Sequence, residues 1–275
     1  MNIKLIALDL DGTLLDSKKR LSPANEAALK RCIAMGIHIV PATGRMVSGI
    51  PETVREMPGV RYAITANGGR VVDMQEGIEI SSALLPVDLA LEILEFAKTT
   101  KSAYDPYLNG KGAMEARFLY HLENYGLEPG IQDLVLRTRE AVPDSIEYVK
   151  QCNKPVEKIN MFFGDLKERA RVKCILEQRP ELAVSSSLYN NLEINAAGAT
   201  KGNGILNLAV YLGIPAEQTM AFGDGGNDLT MIQKAGIGVV MENGDENLKL
   251  CADYITLSND EDGVANAIEK LVVSA

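Results

Sequence analysis

The residues Asp9-Leu10-Asp11-Gly12-Thr13 follow a short apolar run, Ile3-Lys4-Leu5-Ile6-Ala7-Leu8, which only Lys4 interrupts. An apolar run of this length before a glycine turn predicts a buried parallel strand. Open α/β sheets bind ligands at the carboxyl ends of their strands, so this strand would deliver two carboxylates to such a site. Positions i and i+2 of an extended chain point the same way, which allows Asp9 and Asp11 to face one ligand. Two close carboxylates repel each other, and a hard divalent cation such as magnesium would relieve the repulsion.

The composition indicates an ordinary globular protein with a sizeable core. Of its 275 residues, 46% are hydrophobic and 24% are charged, and the length suits one large domain or two smaller ones. The formal net charge of −9 disfavours nucleic acid and anionic membranes as partners, since both require a basic surface. No apolar run approaches the length of a membrane span. The N-terminus enters the first strand directly, which predicts a cytoplasmic protein without a signal or transit peptide.

The cysteines and histidines do not form a metal motif in the sequence. The four cysteines are widely spaced and predict reduced, mostly buried thiols: they are Cys32, Cys152, Cys174 and Cys251. The two histidines, His38 and His121, lie far apart in the chain and do not predict a zinc site. His38 is flanked by isoleucines and is expected to be a core residue.

Strands and helices alternate at both ends of the chain but not in its middle. Ser22-Pro23 predicts the start of a helix between the first two strands, which gives a right-handed βαβ unit. From about residue 85 this regular alternation stops, and it resumes in the final third. We therefore predict an α/β fold with a doubly wound, mainly parallel sheet formed by residues 1–84 and 188–275. Residues 85–187 would form an inserted α+β domain.

Three further groups of polar residues lie at the ends of predicted strands or at the start of a helix. Thr43-Gly44-Arg45 follows the second strand, and Gly223-Asp224-Gly225-Gly226-Asn227-Asp228 follows a strand of the final third. Lys201 begins a helix, where the helix dipole usually favours an acidic residue, and this favours a functional role. Other interpretations remain open, because Asp224 also fits a simple turn and Asn227-Asp228 also fits a cap of the following helix.

The order and spacing of these groups resemble the haloacid dehalogenase superfamily, specifically its Cof-type branch of small-molecule phosphatases. The resemblance covers nearly the whole chain, and four motifs in order are far more specific than any one of them. The resemblance implies a Rossmann-like core, with a large cap inserted between the second and third motifs. The four motifs are Asp9-Leu10-Asp11-Gly12-Thr13, Thr43-Gly44-Arg45, Lys201 and Gly223-Asp224-Gly225-Gly226-Asn227-Asp228.

The residue types at the predicted site also suit phosphoryl transfer. This reaction requires mainly positioning and positive charge around three equatorial oxygens. A carboxylate nucleophile, Asp9, would form an aspartyl-phosphate and divide hydrolysis into two easier steps. Asp11 is placed to protonate the leaving oxygen and then to deprotonate the attacking water.

The other motif residues would bind the phosphoryl group or a magnesium ion. The hydroxyl of Thr43, the ammonium of Lys201 and the amide of Asn227 would hold the phosphoryl group. Gly44 and Gly12 would allow backbone amides to approach it closely.

A magnesium ion would be bound by Asp9, Asp11 and Asp224, and Asp228 would support its water shell. The resemblance implies that Asp11 also contributes its backbone carbonyl. Arg45 fits two roles, a brace behind the site or a contact to the substrate.

The predicted cap would determine which phosphate ester enters. A cap over a phosphate site excludes water and contacts the leaving group, which favours a small phosphorylated metabolite over a phosphoprotein or a polynucleotide. Asn191 and Glu193 lie near the predicted return to the core, where a hinge or an edge of the site is expected. Polar and aromatic candidates for contact with the leaving group are Tyr104, Tyr107, Arg117, Tyr120 and His121.

The leading hypothesis is a magnesium-dependent phosphomonoester hydrolase that acts on sugar phosphates or similar metabolites. One alternative is a phosphomutase, which would use the same aspartate and return the phosphoryl group to the sugar. Another is a non-catalytic phospholigand-binding protein. The second aspartate, Asp11, argues against a pure binding protein, which has no need of it.

Overall fold

The computed structural model describes residues 2–273. The strands are β1 (Leu5–Leu8), β2 (His38–Pro41), β3 (Tyr62–Thr65), β4 (Arg70–Asp73), β5 (Ile78–Ser82), β6 (Ser102–Leu108), β7 (Lys111–Glu115), β8 (Arg139–Val142), β9 (Lys158–Phe163), β10 (Leu182–Ser185), β11 (Asn191–Ala196), β12 (Thr219–Gly223), β13 (Ile237–Val240) and β14 (Tyr254–Ile255). The α-helices are α1 (Pro23–Ala34), α2 (Glu52–Arg55), α3 (Val87–Lys98), α4 (Ala116–Leu119), α5 (Pro129–Thr138), α6 (Ser145–Cys152), α7 (Leu166–Leu176), α8 (Lys201–Leu212), α9 (Leu229–Lys234), α10 (Glu246–Lys249) and α11 (Gly263–Ile268). Short 3₁₀ turns include Ala66–Gly68 and Gly226–Asp228.

The chain divides into two compact units. The first comprises Met1–Ser82 and Thr200–Ala275, and the second comprises Ala83–Ala199. The predicted return to the first unit at residue 188 falls inside the second unit, because β11 pairs with β9 and β10. That the first unit is a catalytic core and the second a cap remains a prediction.

A five-stranded parallel sheet organises the first unit, in the order β14-β13-β12-β1-β2. Every residue of β1 is buried, because this strand lies between β12 and β2. The antiparallel strands β3, β4 and β5 form a separate small sheet, and a parallel bridge between Ala42 and Ile64 connects β3 to the end of β2. The predicted parallel sheet is confirmed.

Helices cover both faces of this parallel sheet. Alternate residues of β1 point to opposite faces, so Ile6 packs in a cluster with Leu29 of α1 and Ile268 of α11. Leu5 packs on the other face, in a cluster with Leu208 of α8. This arrangement confirms the doubly wound α/β fold that the sequence predicts.

The predicted start of the first helix is also confirmed. Ser22 caps α1 by accepting a hydrogen bond from the backbone amide of Asn25, and Pro23 occupies the first helical position. Thr200 caps α8 in the same way through the amide of Asn203. These caps satisfy backbone donors that have no partner within the helix.

The second unit is built on a six-stranded sheet in the order β10-β11-β9-β6-β7-β8. Its strands pair antiparallel except β7 with β8, which are parallel. Ile93 of α3 and Val149 of α6 pack in one apolar cluster with the sheet residues Ile159 and Met161. This mixed arrangement agrees with the predicted α+β character of the segment.

The prediction that most cysteines are buried is wrong, because one of the four is buried and one is partly buried. Cys32 is buried, but Cys174 and Cys251 are exposed, and all four thiols are free. Cys174 lies on α7, whose buried positions are Val172 and Leu176, so the helix turns this thiol outward. Within residues 2–273, no helix is both long and apolar enough to cross a membrane.

A buried asparagine connects three segments of the first unit, and its removal should destabilise the fold. Asn25 donates to the carbonyl of Leu14 at 3.3 Å and accepts from the amide of Ala265 at 2.9 Å. Asn25→Ala leaves both buried backbone groups without partners and should lower the free energy of unfolding by about 1–3 kcal/mol. Chemical denaturation measures this change. Asn207→Ala, on the exposed side of α8, is the control, and an equal loss in both variants would contradict the prediction.

Candidate active site

Three adjacent parallel strands bring the predicted site residues to one edge of the sheet. Asp9 follows β1, Thr43 lies shortly after β2, and Asp224 follows β12. Because β12, β1 and β2 are neighbours and parallel, their carboxyl ends meet at the same edge. Lys201, the first residue of α8, reaches the same place.

Lys201 is completely buried and forms two ion pairs. Its Nζ donates to Asp9 Oδ1 at 2.5 Å and to Asp228 Oδ1 at 2.6 Å. Burial alone would lower the pKa of the Lys201 ammonium, but the carboxylates of Asp228 and Asp9 raise that pKa above its ordinary value. The lysine therefore stays charged. This contact explains why a basic residue occupies the start of α8, where the dipole is unfavourable.

Asp9 retains one carboxylate oxygen that is not engaged by the protein. Oδ1 is bound by Lys201, whereas Oδ2 accepts no hydrogen bond from the residues between 2 and 273. The side chain keeps 9% of its surface exposed. Burial raises the pKa of Asp9 well above its ordinary value; Lys201 opposes this rise, and the carboxylates of Asp228 and Asp224 add to it. Lys201 thus orients the carboxylate and leaves Oδ2 for a ligand.

Asp228 organises the loop that precedes it. Its Oδ2 accepts hydrogen bonds from the backbone amides of Asp224 at 3.0 Å and Gly225 at 2.9 Å, while Oδ1 binds Lys201. The side chain makes no capping hydrogen bond to α9, so Asp228 does not cap the following helix. Its role is to hold the glycine-rich loop in position beside Lys201.

Asp224 faces the loop that carries the first motif. Its Oδ1 accepts a hydrogen bond from the Thr13 hydroxyl at 2.6 Å. Gly12 has a φ of +83°, and a Cβ at this position would lie 2.4 Å from Asp224 Oδ2, so only glycine leaves room for the carboxylate. Burial and the nearby Asp228 raise the pKa of Asp224 to about 6.

Three carboxylates meet at a point where a cation would fit. Oxygen atoms of Asp9, Asp224 and Asp228 all lie within 4.8 Å of one another. Among the described residues, Lys201 is the one cation paired with this group, so three carboxylates share a single ammonium. Burial is the largest cause of the raised pKa values of Asp9 and Asp224, and the neighbouring carboxylates add to both. An all-oxygen donor set with surplus negative charge suits a hard divalent cation.

Asp11 does not belong to this group of three carboxylates and is held by two cations. Arg45 donates to both of its oxygens, from Nε at 2.8 Å and from Nη2 at 2.7 Å, and Lys19 Nζ lies 2.8 Å from Oδ1. Burial would raise the pKa of Asp11, but Arg45 and Lys19 lower it below its ordinary value. Arg45 therefore braces Asp11, which is one of its two predicted roles, and a contact to the substrate stays a prediction.

A second loop, at Asn67, connects two of the predicted phosphate-binding residues, Thr43 and Asn227. The backbone amide of Asn67 donates to the backbone carbonyl of Thr43 at 3.0 Å. The side chain of Asn67 accepts a hydrogen bond at Oδ1 from Asn227 Nδ2 at 3.2 Å. Asn67 adopts a left-handed φ of 58°, which asparagine tolerates better than most residues. In the sequence, Asn67-Gly68 directly after a predicted strand is the pattern that could have indicated this loop. The same pattern also fits an ordinary tight turn.

Three asparagines bind the carbonyl groups of the loop that contains the first motif. Asn243 donates to the Gly12 carbonyl at 2.8 Å, Asn25 to Leu14 at 3.3 Å, and Asn259 to Leu15 at 2.9 Å. Asn243 and Asn259 come from distant parts of the chain, so no local pattern predicts their contacts. They hold the loop without adding charge beside the carboxylates.

The predicted contacts in the second unit are dispersed over its structure. Tyr120 and His121 are exposed. Tyr104 donates to Glu115, which also binds Arg117. The remaining three, Tyr107, Asn191 and Glu193, are buried in the six-stranded sheet. Asn191 and Glu193 belong to β11 and so do not lie at the return to the first unit, which follows Ala199.

The fold and this edge define a class of protein: a doubly wound α/β protein with an aspartate directly after β1 that is paired to a buried lysine and lies beside further carboxylates. The chain belongs to the haloacid dehalogenase-like hydrolases, whose family model matches residues 6–268. It is a phosphatase of this superfamily, as its named relatives are.

Two relatives from Bacillus subtilis match nearly the whole chain. The phosphatase YwpJ is 31% identical over 98% of this chain and 100% of its own length. The 5-amino-6-(5-phospho-D-ribitylamino)uracil phosphatase YcsE is 30% identical over 99% of this chain and 97% of its own length.

Solved structures show the same similarity. A haloacid dehalogenase-like hydrolase from B. subtilis matches 98% of this chain and 100% of its own, with a TM-score of 0.86 and 29% identity. The HAD subclass IIB sugar phosphatase BT4131 matches 97% of this chain and 98% of its own, with a TM-score of 0.81 and 26% identity.

Removal of one of the two cations beside Asp11 should shift the pH dependence of the reaction. Lys19→Gln leaves Arg45 in place but removes one cation that lowers the pKa of Asp11, so that pKa should rise. With Asp11 as the predicted general acid and base, the limb of the pH profile of kcat/KM that this carboxyl would set should move to higher pH. Lys18→Gln, at the neighbouring exposed lysine, is the control. A profile unchanged in Lys19→Gln would contradict the prediction.

Proposed function

We propose that the protein hydrolyses phosphomonoesters of small metabolites, with Asp9 as the nucleophile and Asp11 as the general acid and base. The observation that carries this proposal is the orientation of Asp9. Lys201 holds its Oδ1 at the carboxyl end of β1, while no residue between 2 and 273 donates a hydrogen bond to Oδ2. A carboxylate fixed in this way is suited to attack phosphorus.

The neighbouring groups are suited to bind the phosphoryl oxygens. Lys201 supplies a permanent positive charge beside Asp9, and the Asn227 amide is positioned by Asn67. The Thr43 hydroxyl accepts a hydrogen bond from the Arg45 amide at 3.1 Å, so its own hydrogen is free to point toward a ligand. The backbone amide of Gly44 adds a further candidate donor. Such donors stabilise the charge on the equatorial oxygens during transfer.

The reaction divides into two steps that use the same pair of aspartates. Asp9 Oδ2 attacks phosphorus, the bond between phosphorus and the ester oxygen breaks, and protonated Asp11 gives its proton to the leaving oxygen. Water then attacks the phosphorus of the aspartyl-phosphate while the Asp11 carboxylate takes the water's proton. Inorganic phosphate leaves, and Asp9 is regenerated as a carboxylate. The cations on Asp11 favour the form that accepts the proton in the second step.

Magnesium is the metal that we propose for the carboxylate cluster. Asp9 and Asp224 would bind it, with the Asp11 backbone carbonyl as a further oxygen ligand, and Asp228 would position its ligands through the loop amides. When bound, the ion would neutralise charge on the phosphoryl group and the carboxylates. Lys201 keeps Asp9 oriented with or without the ion, because both of its ion pairs are formed within the protein.

The named relatives support a small substrate. YcsE is named for a phosphorylated ribitylamino compound, and BT4131 is described as a sugar phosphatase. We therefore propose a small, soluble phosphate ester such as a sugar phosphate. Product analysis separates hydrolysis from a mutase reaction, since a hydrolase releases inorganic phosphate and a mutase yields an isomeric ester.

Replacement of the nucleophile should abolish turnover. Asp9→Asn keeps the shape of the side chain but removes the attacking carboxylate, and phosphate release should fall at least about a thousandfold. A panel of phosphorylated metabolites with magnesium, assayed for inorganic phosphate, measures this. Asp16→Asn, which alters a carboxylate bound to Arg20 in the same loop, is the control. Release by Asp9→Asn at the wild-type rate would refute the covalent mechanism.

Magnesium binding should weaken as the pH falls through about 6. Because the pKa of Asp224 is about 6, protons compete with the metal below this pH and the carboxylate is available above it. Calorimetric titration with magnesium at pH 5 and pH 8 tests this, and chelator should abolish activity until magnesium is restored. Asp224→Asn should lose binding, whereas Asp245→Asn, at the cap of α10, should keep it. Equal affinity at both pH values would contradict the assignment.

A further inference from the structure

The turn Ala66–Gly68, which directly follows β3, has an unusual backbone. Its three consecutive residues all have left-handed φ angles, which are +50° at Ala66, +58° at Asn67 and +94° at Gly68. Glycine and asparagine tolerate this region, but the Cβ of an alanine makes it unfavourable. Among residues 2–273, Ala66 is the one alanine with a left-handed φ. Such strain persists only where the surrounding structure fixes the backbone, and it is concentrated at functional sites.

Backbone hydrogen bonds attach this turn to the segment that follows β2. The backbone amide of Ala66 donates to the carbonyl of Arg45 at 3.0 Å. The backbone amide of Asn67 donates to the carbonyl of Thr43, also at 3.0 Å. Both residues of the turn are buried. Two successive amides of the strained turn thus hold the backbone on which the Thr43 hydroxyl and the Arg45 guanidinium are carried.

The same turn packs against the start of α8. A Cβ at Gly68 would lie 2.1 Å from the carbonyl oxygen of Thr200, so only glycine permits this close approach. Thr200 caps α8 and directly precedes Lys201. The turn is therefore fixed on one side by the segment after β2 and on the other by the helix that carries the buried lysine.

The side chain of Asn67 extends these contacts to the loop after β12. Its Oδ1 accepts a hydrogen bond from Asn227 Nδ2 at 3.2 Å. Nδ2 of Asn227 carries a second hydrogen, which has no acceptor among residues 2–273. Because the amide group is planar, the hydrogen bond that fixes the first hydrogen also fixes the direction of the second. Asn67 thus determines where the Asn227 amide can donate.

We propose that Asn67 is a positioning residue for phosphoryl binding, and that the Ala66–Gly68 turn sets the spacing between the Thr43 hydroxyl and the Asn227 amide. Asn67 acts through Asn227, so no contact between Asn67 and the phosphoryl group is required. The strained turn supplies rigidity, since relaxation of its backbone would break the contacts to the segment after β2. This inference rests on the proposed function, which assigns Thr43 and Asn227 to the phosphoryl group.

Removal of the Asn67 side chain should weaken phosphate binding. Asn67→Gly keeps the backbone of the turn, because glycine adopts a left-handed φ without steric cost, but the Asn227 amide loses its fixed direction. The dissociation constant of inorganic phosphate, measured by calorimetry with magnesium present, should rise about three- to tenfold, as expected for one neutral hydrogen bond. KM for the best ester of the metabolite panel should rise by a similar factor.

Another asparagine with a left-handed backbone provides a matched control. Asn153 directly follows α6, has a φ of 45° and is exposed. Asn153→Gly makes the same chemical change in the same backbone conformation, and both constants should stay within about twofold of wild type.

A double-mutant cycle separates positioning from a merely structural role. If Asn67 acts through Asn227, Asn67→Gly should change the phosphate dissociation constant by less than about twofold once Asn227→Ala is present. A structural role would weaken binding equally in both backgrounds. Equal effects in the two backgrounds therefore overturn the proposal, as does an unchanged dissociation constant in Asn67→Gly alone.

Thermal unfolding checks that each variant is folded at the assay temperature. If Asn67→Gly does not fold, Asn67→Ser replaces it, because its hydroxyl keeps a polar atom in the interior but ends one bond short of the Oδ1 position. The same outcomes then apply.

Failure of this inference can be distinguished from failure of the proposed function. Hydrolysis by wild type, with unchanged constants in Asn67→Gly, refutes the positioning role and leaves the phosphatase function intact. A wild type that binds phosphate without hydrolysing any ester contradicts the phosphatase function, while the cycle still decides the role of Asn67. A wild type that neither binds phosphate nor hydrolyses an ester overturns both.

Discussion

The buried contact between Lys201 and the two carboxylates of Asp9 and Asp228 is the interaction on which the site depends. It joins the end of β1, the start of α8 and the loop after β12, three segments far apart in the chain. A buried ammonium is strongly unfavourable unless it is paired, and so is each carboxylate. Each group therefore requires the others, and loss of one would leave an uncompensated charge in the interior.

The need to give every buried charged or polar group a partner also explains how the loops around the site are held. Asp228 uses its second oxygen to bind the amides of Asp224 and Gly225, which fixes the direction of the Asp224 carboxylate. Neutral asparagine amides, Asn243 and Asn259 among them, bind the carbonyls of the first loop. Charge is thereby confined to the groups that would meet the phosphoryl group and the metal. Rigid placement of this kind is what phosphoryl transfer requires.

The faces of the two sheets differ in polarity. In the first unit, both faces of the parallel sheet are apolar because helices cover both, which produces the continuous apolar run before Asp9. In the second unit, one face is apolar and the other carries paired charges such as Lys158 and Glu193. Buried charge pairs are weak sources of stability compared with apolar packing.

The sequence by itself determined the alternating α/β order, the strand ends that carry Asp9 and Asp224, and the helix start at Lys201. These are local patterns, because burial of a strand and capping of a helix leave a signature within a few residues. It did not indicate α5, β8 or α6, the second boundary of the inserted unit, or the pairing of Arg45 with Asp11. Only the tertiary structure decided these points, together with the contacts of Asn67, Asn243 and Asn259. Such contacts join residues distant in the chain, and no local periodicity records which side chains will meet.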